Sequence, residues 1–107
     1  MNWTQEQREA FAKAGGWTYV RRNMIGDFLV GESPVLKCEV RLPDFPNDLE
    51  ACFKVLEHVS IVYTLHSLSN GYNLTIYLLD RSVSGDGAYK TTQDAIRAVV
   101  EKTVEGK

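Results

Sequence analysis

The feature that most constrains this chain is a change of hydrophobic period near its middle. Leu49, Cys52, Phe53, Leu56 and Val59 recur at helical spacing, with Ala51 and Val55 widening the stripe. A helix that apolar has to meet two neighbours. Beyond it Ile61, Tyr63 and Leu65 alternate with Val62, Thr64, His66 and Leu68, which is the period of a strand. Asn70-Gly71 suits a type I′ turn, and the β-branched and aromatic run Tyr72 to Leu79 reads as the returning strand. A two-residue turn there pairs Ser69 with Tyr72, Leu65 with Ile76, Tyr63 with Leu78 and His66 with Thr75. The expected core is therefore Leu49, Phe53 and Leu56 lying against Tyr63, Leu65, Ile76 and Leu78. The opposite sheet face, with Val62, Thr64, His66, Leu68, Tyr77 and Leu79, is mixed in polarity.

The helix start is read at Asn47 as N-cap, after Pro46 and with Glu50 reaching back. Upstream, Thr4 with Gln7 forms a capping box for a helix that ends at Gly15-Gly16. Its stripe is thin, mainly Ala10, Phe11 and Ala14 with Trp3 just outside. Trp17 to Arg22 reads as a strand, Asp27 to Val30 as its return, and the alternating Val35 to Leu42 as an edge strand with Leu36, Cys38, Val40 and Leu42 inward. Asp80 to Lys90, with Gly85-Asp86-Gly87, is a polar loop. Thr91 caps a last helix whose buried stripe is Ile96, Val99, Val100 and Val104, with Arg97, Glu101, Lys102 and Glu105 on the wet side and Gly106 as the stop. The expected architecture is α+β, an antiparallel sheet with packed helices around a helix-hairpin-helix core, in a single domain over residues 1–107. Within it, residues 1–42 supply an N-terminal helix and strands and residues 43–107 the core.

At this length the chain holds one hydrophobic core and little room for a deep enclosed site. A formal net charge of −2 gives no footprint for nucleic acid or an anionic membrane. No run is long and apolar enough to span a bilayer, and no leader pattern is evident, so a cytoplasmic location is expected. Cys38 and Cys52 have no metal-ligand spacing and are expected as buried free thiols. Neither a metal nor a cofactor is expected.

The order helix, strand, Asn-Gly turn, strand, polar loop, helix resembles the phage ABA-sandwich domain over about residues 43–105. The resemblance rests on Pro46, on the helix Asp48-Leu49-Glu50-Ala51-Cys52-Phe53-Lys54-Val55-Leu56-Glu57, and on Thr92-Gln93-Asp94-Ala95-Ile96-Arg97-Ala98-Val99-Val100. Asn47 stands where a serine or threonine is common in that family. The resemblance implies a phage or prophage accessory protein, in the host cytoplasm, and carries over no catalytic residue.

Three clusters can carry chemistry. Lys90, Thr91 and Thr92, with Arg81, Tyr89 and Arg97 nearby in sequence, put a glycine-rich loop and a helix N-terminus where an anion can sit. Arg21 and Arg22 beside Trp17 and Tyr19 combine guanidinium with aromatic rings, as nucleotide recognition requires. His66 and Tyr77 share the mixed sheet face. Hydrolysis needs a nucleophile or metal with a convergent base, and only His66 with Asp80 and Asp86 offers one. The function expected is non-catalytic capture of a small anionic ligand, a nucleotide-derived host immune signal, as an anti-defence sponge. The alternatives are an interaction protein that docks a host or phage protein, and a small hydrolase. Val62, Leu68, Tyr77 and Leu79, with Trp3 and Phe11, add up to surplus apolar surface, so a homo-oligomer is expected.

Overall fold

A computed structural model describes residues 3–23, 25–26, 28–60 and 62–105. Met24, Asp27, Ile61 and Gly106, to which the sequence assigned roles in turns, strands and a helix stop, lie outside the described residues, as does the side chain of Glu105. Among the described residues the chain is α+β, with helices α1 (Gln5–Ala14), α2 (Leu49–Val59) and α3 (Thr92–Glu105) and two antiparallel sheets. The first sheet orders β1 (Thr18–Arg22), β2 (Leu29–Glu32) and β3 (Glu39–Arg41); the second orders β4 (Tyr63–Leu68), β5 (Gly71–Tyr77) and β6 (Ser82–Ser84).

The element at the centre is α3 rather than α2. It lies across β5, and α1 and α2 pack against it in turn. Ala95, Ile96, Val99 and Val100 are buried there against Leu74 and Ile76 of β5 and Val55 and Leu56 of α2. So α2 has two neighbours as its wide stripe requires, but they are helices. It reaches the hairpin through Phe53, whose ring centroid is 6.0 Å from that of Tyr63. Leu49 and Leu65, expected in the core, are exposed. On α3, Val104 is exposed and Thr103 takes the buried place, its Oγ1 donating to the carbonyl of Val99 at 2.9 Å.

The N-terminal helix is part of this core. Its capping box forms as the sequence indicates, Thr4 Oγ1 accepting from the Gln7 N–H and the Gln7 side chain from the Thr4 N–H. Trp3 and Phe11, expected as surplus surface, are buried. Phe11 meets Trp3 and Phe45 edge-on at 5.1 and 5.0 Å, and the Trp3 and Phe45 rings stack at 6.4 Å. Each such pair adds about 0.5–1.5 kcal/mol beyond burial, which is how a helix with a thin stripe is held.

Helix α2 starts one residue later than expected. Asp48 is the N-cap, accepting from the Ala51 N–H at 3.1 Å, and Asn47 closes a 3-10 turn over Phe45–Asn47. Pro46 sits inside that turn, so the chain curls before the helix begins. The hairpin register is shifted as well: Tyr63 faces Ile76, Leu65 faces Leu74, His66 faces Asn73 and Leu68 faces Gly71. Because the offset is two residues along one strand, each side chain keeps its expected face. The turn is Ser69-Asn70, and Gly71 opens β5 at φ +151 with the Tyr89 carbonyl oxygen 2.4 Å from where a Cβ would stand. Glycine is needed here for close approach by the backbone of Tyr89, which exchanges N–H···O bonds of 2.8 Å with Tyr72.

Two further expectations fail for local reasons. Residues 34–36 are a turn, not strand, because Ser33 Oγ accepts from the Val35 and Leu36 N–H groups at 3.2 Å and Lys37 takes φ +60. A short side chain competing for backbone donors overrode the alternating pattern. Leu36 and Cys38 are consequently exposed, leaving Cys52 as the buried thiol. The loop after β5 contains β6, and Lys102 ties it down by donating to the Ser84 carbonyl at 3.0 Å and pairing with Asp86.

Candidate functional site

The first sheet and α1 enclose a cleft of about 630 Å³ lined by Gln5, Arg8, Arg22, Phe28, Leu29, Arg41, Leu42, Pro43 and Asp44. Its position follows from the strand registers. Arg22 is opposite Leu29, and the Leu42 N–H donates to the Leu29 carbonyl at 2.9 Å, so β1, β2 and the end of β3 reach one row together. Val30 opposite Arg41 places that arginine one step along. Pro43 and Asp44 then carry the chain to α1, where Arg8 Nη1 donates to Asp44 Oδ1 at 2.9 Å.

Three arginines, Arg8, Arg22 and Arg41, and the carboxylate of Asp44 stand together in the lining. Arg8 is braced twice, by Asp44 and by an Nε donation to the Trp3 carbonyl at 3.4 Å. Arg41 lies with its guanidinium carbon 4.6 Å from the Phe28 ring centroid, a cation–π contact that presents a flat charged surface. Asp44 is held as a carboxylate: the Asn47 amide donating to Oδ2 at 2.9 Å draws its pKa below the ordinary value, Arg8 and Arg41 act the same way, and partial desolvation works against them. Guanidinium groups can grip a phosphate or carboxylate, Phe28 an aromatic or apolar body, and Asp44 can accept from a ligand N–H or O–H.

Of the residues singled out from sequence, only Arg22 lines this cleft. Arg21 donates to Glu39 on β3. The α3 N-terminus is already engaged: Thr91 Oγ1 accepts from the Asp94 N–H at 3.1 Å, and Asp94 Oδ1 accepts from Trp3 Nε1 at 2.8 Å. Tyr89 is occupied in bridging to Tyr72, its hydroxyl accepting from the Asp86 N–H at 3.2 Å. Lys90 is exposed between it and the cap, and Thr92 is the first residue of α3. Arg81 sits in the turn before β6, its carbonyl accepting from the Leu78 N–H at 2.7 Å.

Arg97, expected on the wet face, has its guanidinium carbon 5.1 Å from the Trp3 ring centroid and pairs with Glu101 at 3.5 Å, while its buried Nε has no hydrogen-bond partner. Tyr77 and His66 are exposed on the second sheet, His66 opposite Asn73 rather than Thr75.

Sequence reading missed Gln5, Arg8, Phe28, Arg41 and Asp44. They come from α1, the two β-hairpin segments and the turn before α2, and no linear spacing joins them. Among the described residues no group of three or more His, Cys, Asp or Glu side chains could hold a metal ion, and no helix is long and apolar enough to cross a membrane. No family model, no curated protein and no solved structure matches the chain.

Proposed function

We propose that this chain is a non-catalytic binding protein that captures a small anionic ligand of the nucleotide class in the cleft between α1 and the first sheet. The supporting observation is the convergence of Arg8, Arg22 and Arg41 beside Phe28 and Asp44. Its volume falls within the usual range of small-ligand sites, roughly 300–1,000 Å³. The guanidiniums would take the phosphates, Phe28 the flat base, and Asp44 a hydroxyl or amino group. The loop before α3 offers Lys90 in a setting where the neighbouring Tyr89 and Thr91 already serve the fold, so we assign the ligand to the cleft instead. Given the resemblance to phage ABA-sandwich domains, the biological role we infer is that of a phage accessory protein that sequesters a host signal.

Calorimetric titration with nucleotides, followed by chromatography of the ligand, tests the proposal. Saturable heat, intact ligand on release, and binding weakened at least ~tenfold by Arg41→Ala or Arg22→Ala are expected, each lost charged hydrogen bond being worth roughly 1.5–3 kcal/mol. Conversion of the ligand would favour a hydrolase. Absence of heat across a nucleotide panel would favour the protein-docking role, for which the exposed Val62, Leu68, Tyr77 and Leu79 speak.

A further inference from the structure

The two sheets have four edge strands among the described residues, and three of them are guarded. A register irregularity between Thr18 and Arg21 and two arginines blunt β1. The three-residue β3 carries Glu39 and Arg41, and β6 is equally short with the Ser84 carbonyl taken by Lys102. Strand β4 has none of these devices. Its six residues Tyr-Thr-Leu-His-Ser-Leu include no Lys, Arg, Asp, Glu or Pro, they pair with β5 in unbroken register, and Thr64 through Leu68 are exposed. An unguarded regular edge is a template for another strand.

The ladder shows which groups that edge offers. Tyr77 N–H donates to the Val62 carbonyl at 3.0 Å, so Val62 and, by alternation, Thr64, His66 and Leu68 turn their backbone groups towards β5. Tyr63, Leu65 and Ser67 therefore turn theirs outward. The sequence is near-palindromic about Leu65: Val62 and Leu68 are apolar, Thr64 and His66 polar, and Leu65 stands at the centre.

We propose that β4 pairs antiparallel with β4 of a second copy about a two-fold axis through Leu65, joining the two second sheets into one continuous sheet. Leu65 then faces Leu65 of the second copy, and Tyr63 faces its Ser67, satisfying the outward N–H and C=O groups of all three residues. Val62, 55% exposed, is brought opposite Leu68 of the second copy, 44% exposed. No like charges meet anywhere along the seam. An isologous contact requires such self-complementarity, whereas a foreign strand would have no use for the palindrome. The inference is independent of the arginine cleft, which lies on the other sheet.

Sedimentation of the full chain at micromolar concentrations tests it, with dimer expected for the wild type. Leu65→Lys, which sets like charges face to face, should raise the dimer dissociation constant at least ~tenfold. Should that variant fold poorly, Leu65→Cys in a Cys38→Ser background supplies a second readout, because directly opposed, hydrogen-bonded residues have Cα atoms about 5.5 Å apart, within disulfide reach. Mild oxidation should link it into dimers, while Val35→Cys in the same background should stay largely unlinked. A wild type that sediments as monomer throughout, a dimer indifferent to Leu65→Lys, or no excess linkage of Leu65→Cys over Val35→Cys would overturn the proposal.

Discussion

Trp3 Nε1 donates to Asp94 Oδ1 at 2.8 Å, fastening a residue ahead of the first helix to the first turn of the last. The indole is 5% exposed, so its donor would be costly to bury without this acceptor. Trp3→Ala removes the ring that Phe11 and Phe45 pack on and should cost about 3–5 kcal/mol. Asp94→Ala should cost about 1–3 kcal/mol by orphaning the indole donor. Urea unfolding of the two variants measures both, and a Trp3→Ala loss below about 0.5 kcal/mol, the size of a surface substitution, would contradict the placement.

Helix α2 provides a sharper test of position. With Asp48 as the cap, Asp48→Ala should lower stability by about 1 kcal/mol. Asn47→Ala should cost less, because its amide bonds to Asp44 rather than to the helix end. Thermal unfolding that ranked the two in the opposite order would return the cap to Asn47.

The cysteines should behave differently. Cys38 is exposed and should react with a thiol reagent in the native state, whereas Cys52 is 0% exposed, donates from Sγ to the Phe45 carbonyl at 3.1 Å, and should react only on unfolding. Burial, reinforced by Asp48 and Asp94, pushes the Cys52 pKa up from 9.0 to about 12. The raised value means that unfolded chains lose this proton first. The stability it represents is present below pH 9.0 and drains away as pH rises through about 12. Comparing alkaline unfolding of the wild type with that of Cys52→Ala should show a steeper fall for the wild type in that range.

Gly71→Ala should be among the most damaging small substitutions. Its Cβ would meet the Tyr89 carbonyl oxygen at 2.4 Å from a φ of +151, so either β5 or the segment before α3 has to move. A loss of about 1–3 kcal/mol is expected in denaturant unfolding. Gly87, with nothing near its Cβ position, is the matched control and should tolerate alanine.

Much of the local structure was legible in the sequence. The Thr4-Gln7 box, the Thr91 cap, the apolar stripe of α2 and the change to strand at β4 each depend on residues a few positions apart, and such interactions act before any tertiary contact forms. Where a local competitor was overlooked, as with the Ser33 hydroxyl and residues 34–36, the pattern misled although the signal lay close by.

Partner choice was a different matter. Periodicity says that a face must be covered and is silent on what covers it, since hydrophobic attraction has no direction. Only the packed chain decided that α3 covers β5, that Trp3 and Phe11 belong inside, and that Tyr89 sets the position of Gly71. The same holds for the cleft: Arg8, Arg22 and Arg41 lie on separate elements, and their meeting depends on strand register and helix docking, which are long-range. The sequence by itself determined the three helices and the strands of the second hairpin, though not β6 or the turn at 34–36; tertiary structure decided which faces met and which apolar residues stayed outside, because that choice rests on shape and chain connectivity summed over the whole molecule.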